Sequence, residues 1–327
     1  TGLELWMLDI ATKKAKKLSR PVVNDALRGG VVEWLPNSKG LVYRSTDPNR
    51  GNPPKAKPVP NGPVVQENTG TKAAVRTYQD LLENAHDVAL FNYYTTTQLM
   101  KTDLQGNAEA YGEPGIITSF NFAPNGEYML VEIIHKPFSY VVPYSRFPKW
   151  VELWDAAGNK VKRLWEIPLA EDIPKGFGSV RKGPRSYQWR ADAPAELFWT
   201  EAQDGGDAFK EAEVREQLYK LSAPFTGKPE PVIQLANRYG GISWGNGDLA
   251  VINEWWWANR KMVTSQFAPD HPEKEKQVIF DRSFEDRYNA PGQFLTRRNE
   301  QGKYVLYTED KGKTLYLQGQ GASPEGN

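Results

Sequence analysis

The most chemically suggestive motif in this sequence is a serine between two glycines. The stretch G-I-S-W-G, from Gly241 to Gly245, matches the G-x-S-x-G pattern that places a nucleophilic serine, here Ser243, between a strand and a helix. The residues that follow, N-G-D-L-A-V-I, are typical of a turn and a strand instead. A triad in the hydrolase order also needs a later histidine, and His271 lies in the turn D-H-P-E-K-E-K. We therefore predict that Ser243 is not a nucleophile, and we assign no catalytic residue.

Oxygen-rich and aromatic stretches give weaker indications of a site. Glu201, Asp204 and Asp207 are spaced closely enough to hold a calcium ion, although a solvated hairpin loop is the favoured alternative. The run from Trp255 to Trp257 could form a carbohydrate platform, but alternate residues of a strand face opposite sides. The sequence contains no Gly-rich phosphate loop and no paired metal-ligand spacing. We therefore predict neither a metal nor a cofactor.

Two interleaved repeats organise the elements that carry these residues. The first repeat is an aromatic residue, a polar turn and an apolar strand, and its copies begin at Trp34, Phe122, Trp189, Trp244 and, more faintly, Thr296. Because Asn, Asp and Gly tolerate a positive φ, each copy predicts a hairpin. The second repeat predicts a further, outer hairpin, and its copies begin at Leu5, Gln98, Val151 and Leu218.

These hairpins predict an all-β fold, a β-propeller built from four-stranded antiparallel blades. About five blades are recognisable, which indicates part of a propeller of about seven or eight blades. We expect residues 1–327 to form a single propeller domain that is incomplete at both ends. A sandwich of hairpins is the alternative fold.

Four arginines are placed by the repeat at the innermost strand of a blade, the strand that lines the central channel of a propeller. They are Arg28, Arg185, Arg238 and Arg297. Because a guanidinium can hold a carboxylate through two parallel hydrogen bonds, these residues are candidate substrate-channel contacts for acidic side chains. In the alternative interpretation, each arginine pairs with an Asp or Glu of a neighbouring blade, which the 40 acidic residues of the chain favour.

An insertion interrupts the repeats over residues 46–89. Its first part, residues 47–63, is so rich in Pro and Gly that we expect it to run extended over a surface. In its second part, Thr77 is followed three residues later by Asp80, a spacing that predicts a capped helix start. A second short helix is predicted from Asp87 to Tyr94.

Composition excludes several classes of partner and chemistry. A net charge of +1 gives no electrostatic basis for binding nucleic acid. No stretch approaches the roughly 18 apolar residues that a membrane-spanning helix needs, so we expect no membrane partner. The chain has no cysteine, which excludes disulfides, thiolate metal sites and cysteine catalysis.

Several long motifs give the chain a family resemblance. It resembles the propeller part of glutamyl endopeptidases, which are serine peptidases of the prolyl-oligopeptidase group found in plant chloroplasts and in bacteria. The motifs that carry the resemblance lie at residues 65–82 (V-Q-E-N-T-G-T-K-A-A-V-R-T-Y-Q-D-L-L), 138–148 (F-S-Y-V-V-P-Y-S-R-F-P), 189–207 (W-R-A-D-A-P-A-E-L-F-W-T-E-A-Q-D-G-G-D), 222–227 (S-A-P-F-T-G) and 321–326 (G-A-S-P-E-G).

The resemblance implies a non-catalytic role for this chain within a larger enzyme. A C-terminal α/β-hydrolase domain, absent from these 327 residues, would supply the triad, while the propeller gates access and selects peptide substrates. The partners implied are that hydrolase domain and peptides. A free-standing propeller that scaffolds protein–protein contacts is the alternative. For location, the bacterial periplasm or the extracellular space is favoured, or the chloroplast stroma if the source is a plant.

Overall fold

Antiparallel strands dominate the computed structural model, which describes residues 2–56, 78–321 and 325. Among the described residues, the strands form one seven-stranded sheet, two four-stranded sheets and four strand pairs, and all but one of these pairs join successive strands. The chain divides into two compact units, residues 1–172 and 173–327. Within the described residues, neither the α-helix nor the two short 3-10 helices have the length and hydropathy of a membrane span.

The first unit contains a hairpin and two sheets that share one long strand. Its elements are β1 (Trp6–Asp9), β2 (Lys14–Lys17), β3 (Val32–Trp34), β4 (Gly40–Thr46), α1 (Ala85–Thr95), β5 (Thr97–Asp103), β6 (Ala108–Phe122), β7 (Tyr128–Ile134), β8 (Lys149–Asp155) and β9 (Lys160–Ile167), with a 3-10 helix at Tyr144–Arg146. Residues 108–115 of β6 pair with β5, and residues 116–122 pair with β7. The outer strand of one sheet thus continues as the inner strand of the next.

The second unit contains two complete sheets and a group of shorter strand pairs. Its strands are β10 (Arg185–Trp189), β11 (Glu196–Ala202), β12 (Glu216–Ser222), β13 (Glu230–Leu235), β14 (Arg238–Asn246), β15 (Leu249–Trp256), β16 (Lys261–Phe267), β17 (Gln277–Ser283), β18 (Gln293–Phe294), β19 (Thr296–Arg298), β20 (Tyr304–Leu306), β21 (Thr308–Glu309), β22 (Thr314–Leu315) and β23 (Leu317–Gln318), and a 3-10 helix spans Asp310–Gly312. Strands β10 to β13 form one antiparallel sheet, and β14 to β17 form the other.

The sheets are propeller blades, which confirms the predicted fold class. Each predicted inner hairpin is a pair of neighbouring strands, including the faint copy that begins at Thr296. The outer hairpins that begin at Gln98, Val151 and Leu218 each join the sheet of the inner hairpin before them. The aromatic residue of the repeat is buried in the copies that begin at Phe122, Trp189 and Trp244, whereas Trp34 is 51% exposed. Trp244, for example, is 4% exposed and belongs to a core that joins the two complete sheets of the second unit through Phe198 and Phe267. The facing sides of the two sheets therefore form this core.

The connection between β4 and β5 begins in the predicted insertion, and its described part contains one helix where two were predicted. Thr77 and residues 57–63 of the Pro-rich stretch lie outside the described residues, but residues 78–84 are not helical and Asp80 has a φ of +56°. The prediction of a helix start there was wrong. The predicted second helix is α1, and its N-cap is Asn84, whose side chain accepts from the backbone N–H groups of His86 and Asp87.

Candidate functional site

Ser243 lies in the middle of a regular strand. It belongs to β14 and pairs with Val251 of β15, so it does not sit on the strand-to-helix turn that a serine nucleophile requires. His271 lies in a turn on the surface, with its ring nitrogens 3.3 Å from carboxylate oxygens of Asp248 and Glu273. The G-x-S-x-G match is therefore part of a blade hairpin, as the sequence context indicated.

The oxygens of the calcium candidate are engaged by donors of the protein itself. Asp204 accepts from the Gly206 N–H on one oxygen and from the guanidiniums of Arg215 and Arg238 on the other. The Asp207 carboxylate accepts from a backbone N–H of its own loop. Among the described residues, no group of three or more acidic or histidine side chains is arranged to hold a metal ion. Asp204 is thus an ion-pair partner in a hairpin connection.

Two of the four predicted arginines come together on one buried carboxylate. Arg185 and Glu216 are the first residues of β10 and β12, which begin at the same end of one antiparallel sheet, and Arg238 is the first residue of β14 in the other sheet. Arg238 Nη1 lies 3.1 Å from Glu216 Oε1, and Arg185 donates to the same oxygen. Arg238 and Glu216 are almost fully buried, and Arg185 is mostly buried.

Asp204 completes this buried network, which we call the arginine–carboxylate network and which comprises Arg185, Asp204, Arg215, Glu216 and Arg238. Asp204 Oδ2 lies 2.7 Å from Arg238 Nη2 and 2.9 Å from Arg215 Nη1. Burial alone would raise the pKa of Asp204, but the hydrogen bonds and charge of Arg238 and Arg215 hold it below its ordinary value. Burial raises the pKa of Glu216, and the two arginines oppose that shift without reversing it.

The network also fixes two surface connections. Arg238 Nε donates to the Gly178 carbonyl at 2.6 Å, and its Nη1 donates to the Arg215 carbonyl at 3.2 Å. The Arg215 guanidinium lies 3.8 Å from the centre of the Trp256 ring, within cation–π distance. Trp256 was one of the three tryptophans considered as a carbohydrate platform. In the structure it supports a charged side chain.

The other two predicted arginines have different surroundings. Arg28 is exposed in the connection before β3, and its backbone N–H donates to the Tyr144 hydroxyl. Arg297 is exposed on β19 and lines a cavity of about 560 Å³ beside Arg190, which is itself bound by Asp192, Glu196 and Asp270. Arg238 thus pairs with carboxylates of the neighbouring sheet, and Arg185 pairs with Glu216 of its own sheet. Contact with substrate stays a prediction for all four arginines.

The lowered pKa of Asp204 predicts a dependence of stability on pH. A carboxyl group whose folded pKa lies below its unfolded value contributes stability above the unfolded pKa and loses it as pH falls through the folded one. We therefore expect the difference in melting temperature between the wild type and Asp204→Asn to shrink below about pH 4, where Asp204 begins to protonate in the unfolded chain. Thermal melts between about pH 6 and pH 3 check this. A difference that stays constant over that range would contradict the assignment.

Comparison with known proteins shows similarity over almost the whole chain. The chain is 42% identical over 334 residues to a probable chloroplastic glutamyl endopeptidase of Oryza sativa subsp. japonica, covering 99% of this chain and 35% of that protein. A protein of the same description from Arabidopsis thaliana is 42% identical over 333 residues, with 99% of this chain and 34% of that protein covered. The chain thus spans about a third of the length of these relatives. No family model matches it.

The solved structures that match this chain include two peptidases. The tricorn protease is 11% identical with a TM-score of 0.45, over 96% of this chain and 28% of that chain. The acylaminoacyl peptidase of Pyrococcus horikoshii is 14% identical with a TM-score of 0.43, over 84% of this chain and 35% of that chain. The sequence relationship is the informative one. This chain is a propeller segment that is homologous, over 99% of its length, to a segment covering about a third of each of the two probable glutamyl endopeptidases.

Proposed function

We propose that this chain is the substrate-selecting, non-catalytic part of a larger serine peptidase. The observation that carries the proposal is the 42% identity over 99% of the chain to glutamyl endopeptidases about three times as long. In this proposal a C-terminal α/β-hydrolase domain of the same protein supplies the nucleophile and its base. The propeller admits peptides and unfolded segments to that domain and rejects folded proteins by size.

The placement of the longest connections supports this role. In each unit, the longest connection between two strands of one blade joins its second and third strands, over residues 47–96 between β4 and β5 and residues 203–215 between β11 and β12. Because the strands alternate in direction, each of these connections lies at the end of its blade where the innermost strand begins. Loops positioned by a rigid scaffold are common sites of recognition. We propose that this end of each blade faces the peptide.

The proposed substrates are peptides with acidic side chains. The relatives carry the description glutamyl endopeptidase, and Arg28 is exposed in a connection at the same end of its blade. Both relatives are also described as chloroplastic, which fits the stromal alternative for location, whereas the comparisons give no support to the bacterial periplasm.

A labelling experiment tests the division of labour between the propeller and the hydrolase domain. We expect the 327-residue chain to hydrolyse no Glu-containing fluorogenic peptide and to resist a fluorophosphonate probe, because Ser243 lies in a blade strand. The full-length protein should react with the probe at a serine outside these residues, and Ser243→Ala should leave that labelling intact. Labelling of Ser243 itself would refute the proposal. A full-length protein that is inert to both probe and peptide but captures protein partners would favour a scaffold.

A further inference from the structure

A group of three aromatic rings, one exposed and two half-buried, lies on the second unit beside the arginine–carboxylate network. We call Phe177, Trp257 and Phe284 the aromatic shelf. The Phe177 and Trp257 rings stack with their centroids 4.3 Å apart, and Phe284 lies 5.9 Å from Trp257. Phe177 is nevertheless 70% exposed. An exposed cluster of large apolar side chains on a soluble domain commonly marks a binding surface.

The connection that carries Phe177 is fixed by the network. Gly176 and Gly178 flank Phe177 with φ values of +108° and +87°, a region that favours glycine. The buried Arg238 holds the Gly178 carbonyl. Buried ion pairs contribute little net stability but can impose a specific conformation. Here that conformation presents one face of the Phe177 ring to solvent.

Arg260 adds a positive charge to the shelf. Its guanidinium carbon lies 4.2 Å from the centre of the Trp257 ring, and Nη1 donates to the Trp257 carbonyl. The residue has a φ of +59°, which is uncommon for any residue other than glycine. Its Nε donates to Glu285 Oε1 at 2.8 Å. The arginine is thus held in place on one side and bound to a carboxylate on the other.

A second arginine of this chain has almost the same geometry and a different partner. Arg163 lies 4.0 Å over Trp150, its Nε is 3.0 Å from Glu152 Oε1, and its side chain is 36% exposed, as is that of Arg260. Glu152, however, is 5% exposed and also faces Lys160 at 3.8 Å, whereas Glu285 is 62% exposed. Glu152 is therefore a fixed structural counter-ion. Glu285 can turn into solvent and leave Arg260 free to accept another carboxylate.

We propose that Arg260 and the aromatic shelf form a subsite for an acidic side chain of an extended peptide. The peptide carboxylate displaces Glu285 from Arg260, and a neighbouring apolar side chain of the peptide packs on the open face of Phe177. In the absence of peptide, the Glu285 carboxylate occupies the position on Arg260 that the peptide carboxylate takes, and it is released when a peptide binds. This inference rests on the proposed function, since it assigns a peptide-binding role to this surface.

Peptide binding to the 327-residue chain tests the subsite without requiring catalysis. The probe is a blocked peptide of about eight residues with one Glu next to a Phe and no Trp, a length that keeps it extended and unstructured. A control peptide has the same sequence with that Glu replaced by Gln. Calorimetry and the tryptophan fluorescence of the chain report the Kd of each peptide. We expect the wild type to bind the Glu peptide more tightly than the Gln peptide.

Three variants separate the subsite from a general effect of charge. Arg260→Gln should raise the Kd of the Glu peptide about tenfold, as loss of one charge-assisted contact predicts, and leave that of the Gln peptide unchanged. Glu285→Gln should lower the Kd of the Glu peptide because it removes the internal competitor. Arg163→Gln is the matched control and should change neither.

The outcomes distinguish the subsite from the peptidase role. Equal binding of the two peptides by the wild type, no detectable binding, or a Glu-to-Gln preference that survives Arg260→Gln would overturn the subsite. If the full-length protein hydrolyses Glu peptides with a preference unaffected by Arg260→Gln, the peptidase role stands and the subsite is wrong. If binding follows the prediction but the full-length protein lacks hydrolysis, the peptidase role fails and the subsite stands.

Discussion

Replacing Asp204 with asparagine is expected to lower the free energy of unfolding of the second unit by about 3–5 kcal/mol, the usual effect of removing one partner of a buried ion pair. Asp204 is the carboxylate that both Arg238 and Arg215 contact, and the Arg238 side chain is only 1% exposed. Without Asp204, Arg238 keeps one carboxylate partner, Glu216, which it shares with Arg185. A buried positive charge would then be incompletely neutralised.

Denaturant unfolding followed by circular dichroism measures this effect. Asp207→Asn is a matched control in the same connection, because Asp207 is partly exposed and accepts one hydrogen bond, from the Phe209 N–H. We expect that control to lose less than about 1 kcal/mol. Equal losses for the two variants would show that the network contributes no more than an ordinary surface turn.

Gly112→Ala is expected to destabilise the first unit by about 2–4 kcal/mol, through a disfavoured backbone conformation and an overpacked core. Gly112 lies within β6, the strand that two blades share, and has a φ of +70°. A Cβ at this position would overlap the buried ring of Trp154, which is 3% exposed. The Trp154 ring belongs to the core of this unit, so it has little room to move.

Gly51→Ala separates the two contributions. Gly51 has nearly the same φ, +68°, but a Cβ there would meet nothing within 4 Å. We expect this control to lose about 1 kcal/mol, from the backbone conformation alone. If both alanine variants melted at the same temperature, the close approach between Gly112 and Trp154 would have no energetic consequence.

The sequence was sufficient to predict the blades because their signals are local. Alternating apolar residues around a turn residue with positive φ specify a hairpin within about twelve residues, as in the copy that begins at Phe122 with Gly126 at its turn. The helix start was misplaced because Thr77 and Asp80 match a capping pattern as well as the true cap does. The true signal is Asn84 followed by Asp87, whose carboxylate accepts from the Glu83 N–H and the Asn84 side chain.

The site was harder to predict because its contacts are distant in sequence. The phase of the repeat indicated that Arg238 lies at the start of an inner strand, which is correct, but its partner Asp204 is 34 residues away in a connection. The composition of that connection resembled a calcium-binding loop. Only the fold shows that the guanidiniums of Arg215 and Arg238 occupy the place of a cation beside Asp204. No sequence feature pointed to a binding role for Arg260 apart from its proximity to the tryptophan run. Its contrast with Arg163 depends on the exposure of two glutamates, which is a tertiary property.

Selection by access is the central claim, and one substrate pair tests it most directly. A flexible segment with a single Glu site is offered to the full-length protein as a free peptide, and again joined at both ends to stable folded domains. The cleavage site is equally flexible in both forms. A control peptidase whose active site is not covered by another domain therefore cleaves both substrates. We predict that the full-length protein cleaves the free peptide and leaves the doubly anchored segment largely intact. Equal cleavage of both substrates would contradict a gating role for this propeller.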